Sequence, residues 1–211
     1  MCTAQINVMP IEKTDWERAV EFHGHSCPGL ATGFRVAQIA ISRLNEVRSA
    51  DEEIVAIVEN DACGIDGIML LTGCTLGKGN LIYRDFGKQV YTFASRNSGL
   101  ALRIAVNSEI LHNASPEITK LRQKVFGGTA TQEEQEAFGQ IQKQKIEHLL
   151  NMPAEDFCKV EKINFTLPGK ARIFNSVKCQ VCGEYVMEPR ARVQNGEFVC
   201  LPCAEEYSRG W

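Results

Sequence analysis

The strongest constraint on this 211-residue chain lies near its C-terminus. There Cys179-Gln180-Val181-Cys182 and Cys200-Leu201-Pro202-Cys203 repeat a C-x2-C step across seventeen intervening residues. Two tight cysteine turns at that spacing can close a tetrahedral site of four sulfurs, the signature of structural zinc. Thiolates also suit iron, and zinc is preferred because it is the commoner structural metal. Between the pairs, Tyr185 to Arg192 and Phe198-Val199 flank Asn195-Gly196, a hairpin dipeptide. Ala204-Glu205-Glu206-Tyr207 suits a short helix after the last ligand. Knuckle, hairpin, knuckle and helix make a treble-clef-like finger, and Pro168-Gly169-Lys170 marks its boundary. The expected organisation is therefore a core domain over 1–168 and a four-cysteine zinc finger over 169–211.

From Lys170 onward six basic side chains face five carboxylates, which makes no basic stripe. The finger is accordingly expected to dock onto its own core or a partner in preference to nucleic acid. The whole chain carries a net charge of -3, which gives no general attraction to nucleic acid or acidic membranes. Met1-Cys2-Thr3-Ala4-Gln5-Ile6-Asn7 has neither a basic region nor a long apolar one, and no window approaches about eighteen apolar residues. The chain is thus expected in the cytoplasm, with no membrane partner. In a reducing compartment its nine cysteines are read as metal ligands, reactive thiols or small buried hydrophobes before disulfides.

A second cluster lies at His23-Gly24-His25-Ser26-Cys27-Pro28-Gly29. Leu30, Phe34, Ala37, Ile41 and Leu44 follow at the spacing of one apolar helical face, so a long helix runs to about Val47. Pro28 suits its first position and Cys27 its N-cap. A thiol there meets free N–H groups and the positive end of the helix dipole, which favour the thiolate that attacks or binds metal. His23 and His25 add neutral nitrogen ligands or proton carriers. Alternation along an extended segment points them to opposite sides, so one of them is free to act beside the metal and not on it.

Around this stretch, Thr14 and Glu17 form a capping-box pattern that opens a short helix leading into the histidines. Ile54-Val55-Ala56-Ile57-Val58 reads as a strand buried on both faces, ending at Cys63-Gly64, where Cys63 is placed to meet Cys27. A short helix follows, stopped by Gly73 and followed by Cys74. The loop Gly73 to Asn80 is glycine-rich but lacks the spacing and the hydroxyl of a P-loop, so no phosphate cradle is expected. Leu81 to Phe86 and Gln89 to Ser95 read as a hairpin turned at Gly87-Lys88, and Leu100 to Val106 as a third strand. Ser115-Pro116 and Thr131-Gln132-Glu133-Glu134 open two further helices, and Phe157 to Leu167 is strand-like. His112 and His148 read as structural or solvated. The fold class is α+β, a mixed or antiparallel sheet packed with helices, plus the small finger.

Three motifs in this order, Phe22 to Gly29, Asp61-Ala62-Cys63-Gly64-Ile65-Asp66-Gly67, and Leu71 to Leu81, resemble the FmdE family, which is named for a subunit of formylmethanofuran dehydrogenase. The resemblance covers about residues 12 to 110 well, and a C-terminal treble-clef finger is known in some members. It implies an α+β core, a homodimer and a site built from the histidine and cysteine motifs. The parent enzyme is a molybdenum- or tungsten-dependent complex that reduces CO2 onto methanofuran. Members also occur in organisms that make no methane, and nothing in this chain resembles the molybdopterin-binding subunit.

On this basis His23, His25, Cys27 and Cys63 are the candidate core site, catalytic or metal-binding. Cys74 completes or borders it, and Asp61 or Asp66 orients a histidine. The core metal is not named by the sequence. Two functions follow. One is a metal-binding enzyme, or a subunit of an enzyme complex, in one-carbon or redox metabolism of the oxidoreductase type. The other is an interaction or regulatory protein whose core senses metal or thiol state.

Overall fold

Two fully buried stretches, the first of them wholly apolar, dictate the centre of the fold. Ile54–Val58 (β1) and Val90–Ser95 (β3) are buried along their whole length and pair antiparallel, Ile54 opposite Ser95 and Val58 opposite Tyr91. The computed structural model describes residues 13–207. The chain divides after Lys170 into two compact units.

In the first unit five strands form one mixed sheet in the order β2-β1-β3-β4-β5. Ala101–Val106 (β4) and Cys158–Lys162 (β5) extend it antiparallel from β3. Leu81–Tyr83 (β2) pairs parallel with β1 on the other side. The expected hairpin of Leu81–Phe86 with Gln89–Ser95 is therefore incorrect. The chain from Arg84 to Lys88 crosses the end of β1, with the N–H groups of Arg84 and Lys88 donating to Val58 and Glu59 carbonyls. The wholly apolar strand β1 lies between β2 and β3 and so separates the two that the turn joins.

The helices are α1 (Asp15–His23), α2 (Pro28–Leu44), α3 (Gly64–Thr72), α4 (Ser108–His112), α5 (Pro116–Phe126), α6 (Gln132–Asn151) and α7 (Ala154–Phe157). Thr14 and Thr131 form complete capping boxes with Glu17 and Glu134, and Ser115 caps α5, as their sequences predict. Helix α2 buries more than one stripe: Ala31, Thr32, Gly33, Val36 and Ala40 are buried with Leu30, Phe34, Ala37 and Leu44, whereas Ile41 is only half-buried. It is the central helix, touching α1, α3, α6 and the sheet. It stops at Leu44, short of Val47, because Asn45 turns left-handed at φ 54°.

Small residues let α2 and α3 close on one another. A methyl group on Gly33 would fall 1.8 Å from the Gly64 carbonyl oxygen, and one on Gly67 would fall 2.7 Å from the Phe34 nitrogen. Only backbone fits at that crossing.

The glycine-rich loop before β2 is spent on structure. Lys78 Nζ donates to the carbonyls of Ser49, Ala50 and Asp51. Buried Asn80 donates to Asp51 and Ile54 carbonyls and accepts from the Thr75 N–H.

In the second unit, Ser176–Lys178 pairs with Tyr185–Met187, and Arg192–Gln194 pairs with Glu197–Val199 across the Asn195-Gly196 turn. The expected helix over Ala204–Tyr207 does not form in these residues. A single 3-10 turn occupies Leu201–Cys203 instead, where Pro202 takes an early helical position.

Candidate functional site

The core site is built at the junction of α1, α2 and α3. Gly24 ends α1 in the left-handed region, φ 91°, its N–H donating to the Val20 carbonyl. That turn leaves His23 as the last residue of α1 and brings Cys27 to the N-cap of α2. The Cys27 Sγ accepts the Leu30 N–H at 3.3 Å, the capping contact expected from its position. His23 Nε2 lies 3.7 Å from the same sulfur. Its other ring nitrogen, Nδ1, lies 2.6 Å from Asp66 Oδ2 in the first turn of α3. The His25 ring sits 4.5 Å from the His23 ring, centroid to centroid.

Ligand atoms of His23, His25 and Cys27 lie within 4.8 Å of one another. The fit to a metal can be tested on one distance. Zinc bonds of about 2.0–2.1 Å to nitrogen and about 2.3 Å to sulfur, spread tetrahedrally, separate the two atoms by about 3.6 Å. The observed 3.7 Å between His23 Nε2 and Cys27 Sγ matches.

Cys63 stands beside this trio and outside it. The end of β1 is turned by buried Asn60, which donates to the Lys88 carbonyl and the Tyr91 hydroxyl and accepts from the Ala62 N–H. The next turn presents Cys63 to the start of α2: a methyl group on Gly29 would lie 3.1 Å from Cys63 Cβ and 3.8 Å from Cys27 Sγ. Burial and the Cys27 sulfur next to it push the Cys63 thiol above the ordinary cysteine range.

Cys74 is elsewhere. It is fully buried in the hydrophobic core and its thiol donates to the Ile54 carbonyl at 3.3 Å. Burial raises its pKa to about 11. It neither completes nor borders the histidine cluster. Of the two aspartates, Asp66 is the one that reaches a histidine; Asp61 is exposed.

Cys27 and Cys63 open into a groove of about 720 Å3 whose other walls come from α4, α5 and α6. Arg122, Lys145 and His148 line it, none of them singled out as functional by sequence. The signal is nevertheless present: Arg122 falls between Ile118 and Phe126 at steps of four, and Lys145 between Ile141 and Leu149 likewise. Each cation interrupts an apolar helical stripe.

In the second unit the four cysteines converge as their spacing predicts. Sulfur atoms of Cys179, Cys182, Cys200 and Cys203 lie within 4.8 Å of one another. Cys182 and Cys200 are 3.9 Å apart, close to the edge of about 3.8 Å that a tetrahedron of roughly 2.3 Å zinc–sulfur bonds requires. Backbone N–H groups of Cys182 and Cys200 draw the pKa of Cys179 down to about 6, the thiolate state that a metal ligand needs. The cluster is a zinc site.

Comparison with known proteins agrees with both units. Residues 172–209 match the prokaryotic dksA/traR C4-type zinc finger. A relative in Archaeoglobus fulgidus, described as a probable S-adenosyl-L-methionine-binding protein, is 37% identical over 196 residues. The match takes in 90% of this chain and 52% of that protein, so the chain spans about half the length of its relative. An FmdE-like protein of the tungsten formylmethanofuran dehydrogenase type, from Syntrophus aciditrophicus, shares the fold, with a TM-score of 0.57 at 23% identity over 89% of this chain and 88% of that one. Residues 22–159, which carry the histidine–cysteine cluster, strands β1 to β4 and the start of β5, match the family described as "FmdE, Molybdenum formylmethanofuran dehydrogenase operon", and the chain belongs to that FmdE family.

Proposed function

We propose that the core unit is a metal-dependent enzyme, or a subunit of an enzyme complex, in one-carbon or redox metabolism, with Cys27, His23 and His25 as ligands of the core metal. One observation carries this reading. Three donor atoms converge, one of them, the Cys27 sulfur, belonging to a residue that lines a groove large enough for a small substrate, while Asp66 holds the far nitrogen of His23. Two imidazoles and a thiolate suit a borderline divalent ion such as zinc. Three protein ligands leave a fourth position for water or substrate, which is how catalytic sites differ from closed structural ones. When bound, such an ion supplies Lewis acidity to the group placed on that open position.

The protein's own residues do the rest. The N–H of Leu30 holds the Cys27 sulfur in place. Asp66 accepts from His23 Nδ1, which leaves Nε2 as a neutral donor aimed at the sulfur's side. The oxidoreductase class is supported by the family's operon description alone. Cobalt(II) reconstitution tests the site: a thiolate-to-cobalt absorption band present in the wild type should be weakened in Cys27→Ser, and identical spectra would refute it.

A second reading is favoured by the place of Cys63. A thiol lying next to Cys27 but outside the trio suits a redox sensor in which an external two-electron oxidant such as a peroxide takes the electrons of the two thiols, is itself reduced to water or an alcohol, and leaves a disulfide that a cellular dithiol can reduce again. Equal metal content with and without Cys27, together with an oxidised Cys27–Cys63 peptide, would favour the sensor.

The reading includes a homodimer of the core unit, supported by exposed Tyr83 on the edge strand β2 and by exposed Leu76 and Phe86 in the segments that precede and follow it. Sedimentation at micromolar concentration checks it, and a monomer rules it out. For the relative's printed ligand, S-adenosyl-L-methionine, calorimetric titration of the full chain decides directly.

A further inference from the structure

The groove beside Cys27 carries a charge that the metal site does not use. Arg122 enters it from α5 and Lys145 from α6. Neither forms an ion pair among the described residues. Lys145 donates to the Leu111 carbonyl at 2.9 Å, which leaves two of its three N–H groups for another acceptor. Arg122 lies over the Phe126 ring at 5.7 Å, a contact that orients the guanidinium without neutralising it. Burial, and then Arg122, hold the Lys145 pKa below the ordinary lysine value, so the two cations feel one another.

Lys145 also faces the turn that carries the thiol. A second, smaller cavity is lined by Lys145 with Pro28 and Gly29 of the first turn of α2 and Thr32 just after it. The positive end of that helix points the same way. The same groove has apolar wall from Ile118, Phe138 and Ile141. Glu109 is the one carboxylate in the lining, and it pairs with neither cation. Lys145 is half-buried and Arg122 exposed, and an anion between them would relieve the repulsion that the partly desolvated Lys145 feels.

Resting on the core-site reading above, we propose that the groove takes a small amphipathic anion: a carboxylate or phosphate on an apolar body, its charge between Lys145 and Arg122 and its other end at Cys27. A ligand presenting only a cationic centre would meet repulsion at the same place.

The test uses two alkylating probes of similar size, anionic iodoacetate and neutral iodoacetamide, on the full chain as purified. Modification of Cys27 and Cys63 is followed by peptide mass spectrometry. Both probes attack the same sulfur, so the ratio of their rates cancels the thiol's own reactivity and any metal on it. The iodoacetate-to-iodoacetamide ratio should fall roughly fivefold in Lys145→Gln and in Arg122→Gln, and Lys145→Arg should restore it. A ratio that stays at the wild-type value in both folded glutamine variants overturns the proposal. In a second arm, calorimetry with 2-naphthoate, 2-naphthyl phosphate and neutral 2-naphthamide should show an anion binding about tenfold more tightly than the amide. The tighter anion identifies the headgroup, and equal affinity for the amide overturns the proposal. A wild-type core without metal but with the anion preference intact would refute the metal reading and uphold this one.

Discussion

His23 and Asp66, 43 residues apart in sequence, meet at 2.6 Å between Nδ1 and Oδ2. The contact crosses from the end of α1 to the start of α3, and it fixes which His23 nitrogen faces Cys27. Asp66→Asn keeps the shape and removes the anionic acceptor. Core metal affinity should fall about 10–100-fold, while the finger's zinc is unchanged. Competition against a chromophoric chelator measures both sites, and an unaltered core affinity would show that Asp66 does not orient the ligand.

The α2–α3 crossing should be intolerant of one added methyl group. At Gly33 it would fall 1.8 Å from a backbone oxygen, which no rotamer change can relieve. Gly33→Ala is expected to cost about 1–3 kcal/mol or more in denaturant unfolding. Gly139→Ala, on α6 with nothing within 4 Å of the new atom, is expected to stabilise by about 0.4–1 kcal/mol. Equal effects at the two positions would contradict the packing described.

Much of the site is legible in the sequence because its parts are local. His23, His25 and Cys27 belong to one turn, and the capping pattern of α2 is written in Cys27-Pro28. Cys63 is legible only as a neighbour of Cys27, since the reach of each donor depends on the side chain's direction. Cys74 is misread from sequence because its glycine-rich surroundings suggest an exposed loop. In the fold, Gly73 turns left-handed against the Ser49 carbonyl and sends Cys74 inward. The expected hairpin is lost for a tertiary reason, the insertion of β1 between its two arms. Arg122 and Lys145 gain meaning only when α5 and α6 are seen to wall the thiol groove.

The buried thiols give the core a defined alkaline limit. Burial raises Cys74 and Cys158 to about 11, above the ordinary value of 9.0. Groups raised in this way contribute stability that is complete below their unfolded pKa and is lost as pH rises through the folded one. The urea midpoint should therefore decline between about pH 9 and 11, and Cys74→Ala should flatten part of that decline. At pH 8 both thiols should resist alkylation in the folded protein. A midpoint independent of pH over this range would contradict the burial.

The finger should depend on its metal. Its described strands are three residues each and most of its large apolar side chains are exposed, among them Val181, Tyr185 and Val193. So little core cannot hold a fold without the ion. Chelation should expose residues 171–207 to protease while the first unit stays resistant. Protease resistance of this segment after complete metal removal would disprove the dependence. Lowering pH should weaken zinc binding as protons compete for the four thiolates.

Metal stoichiometry of anaerobically purified protein, compared across the wild type, Cys27→Ser and Cys179→Ser, tests the central claim most directly. The account predicts about two ions per chain in the wild type, with a different one lost in each variant. One ion per chain, retained in full by Cys27→Ser and lost in Cys179→Ser, would contradict it.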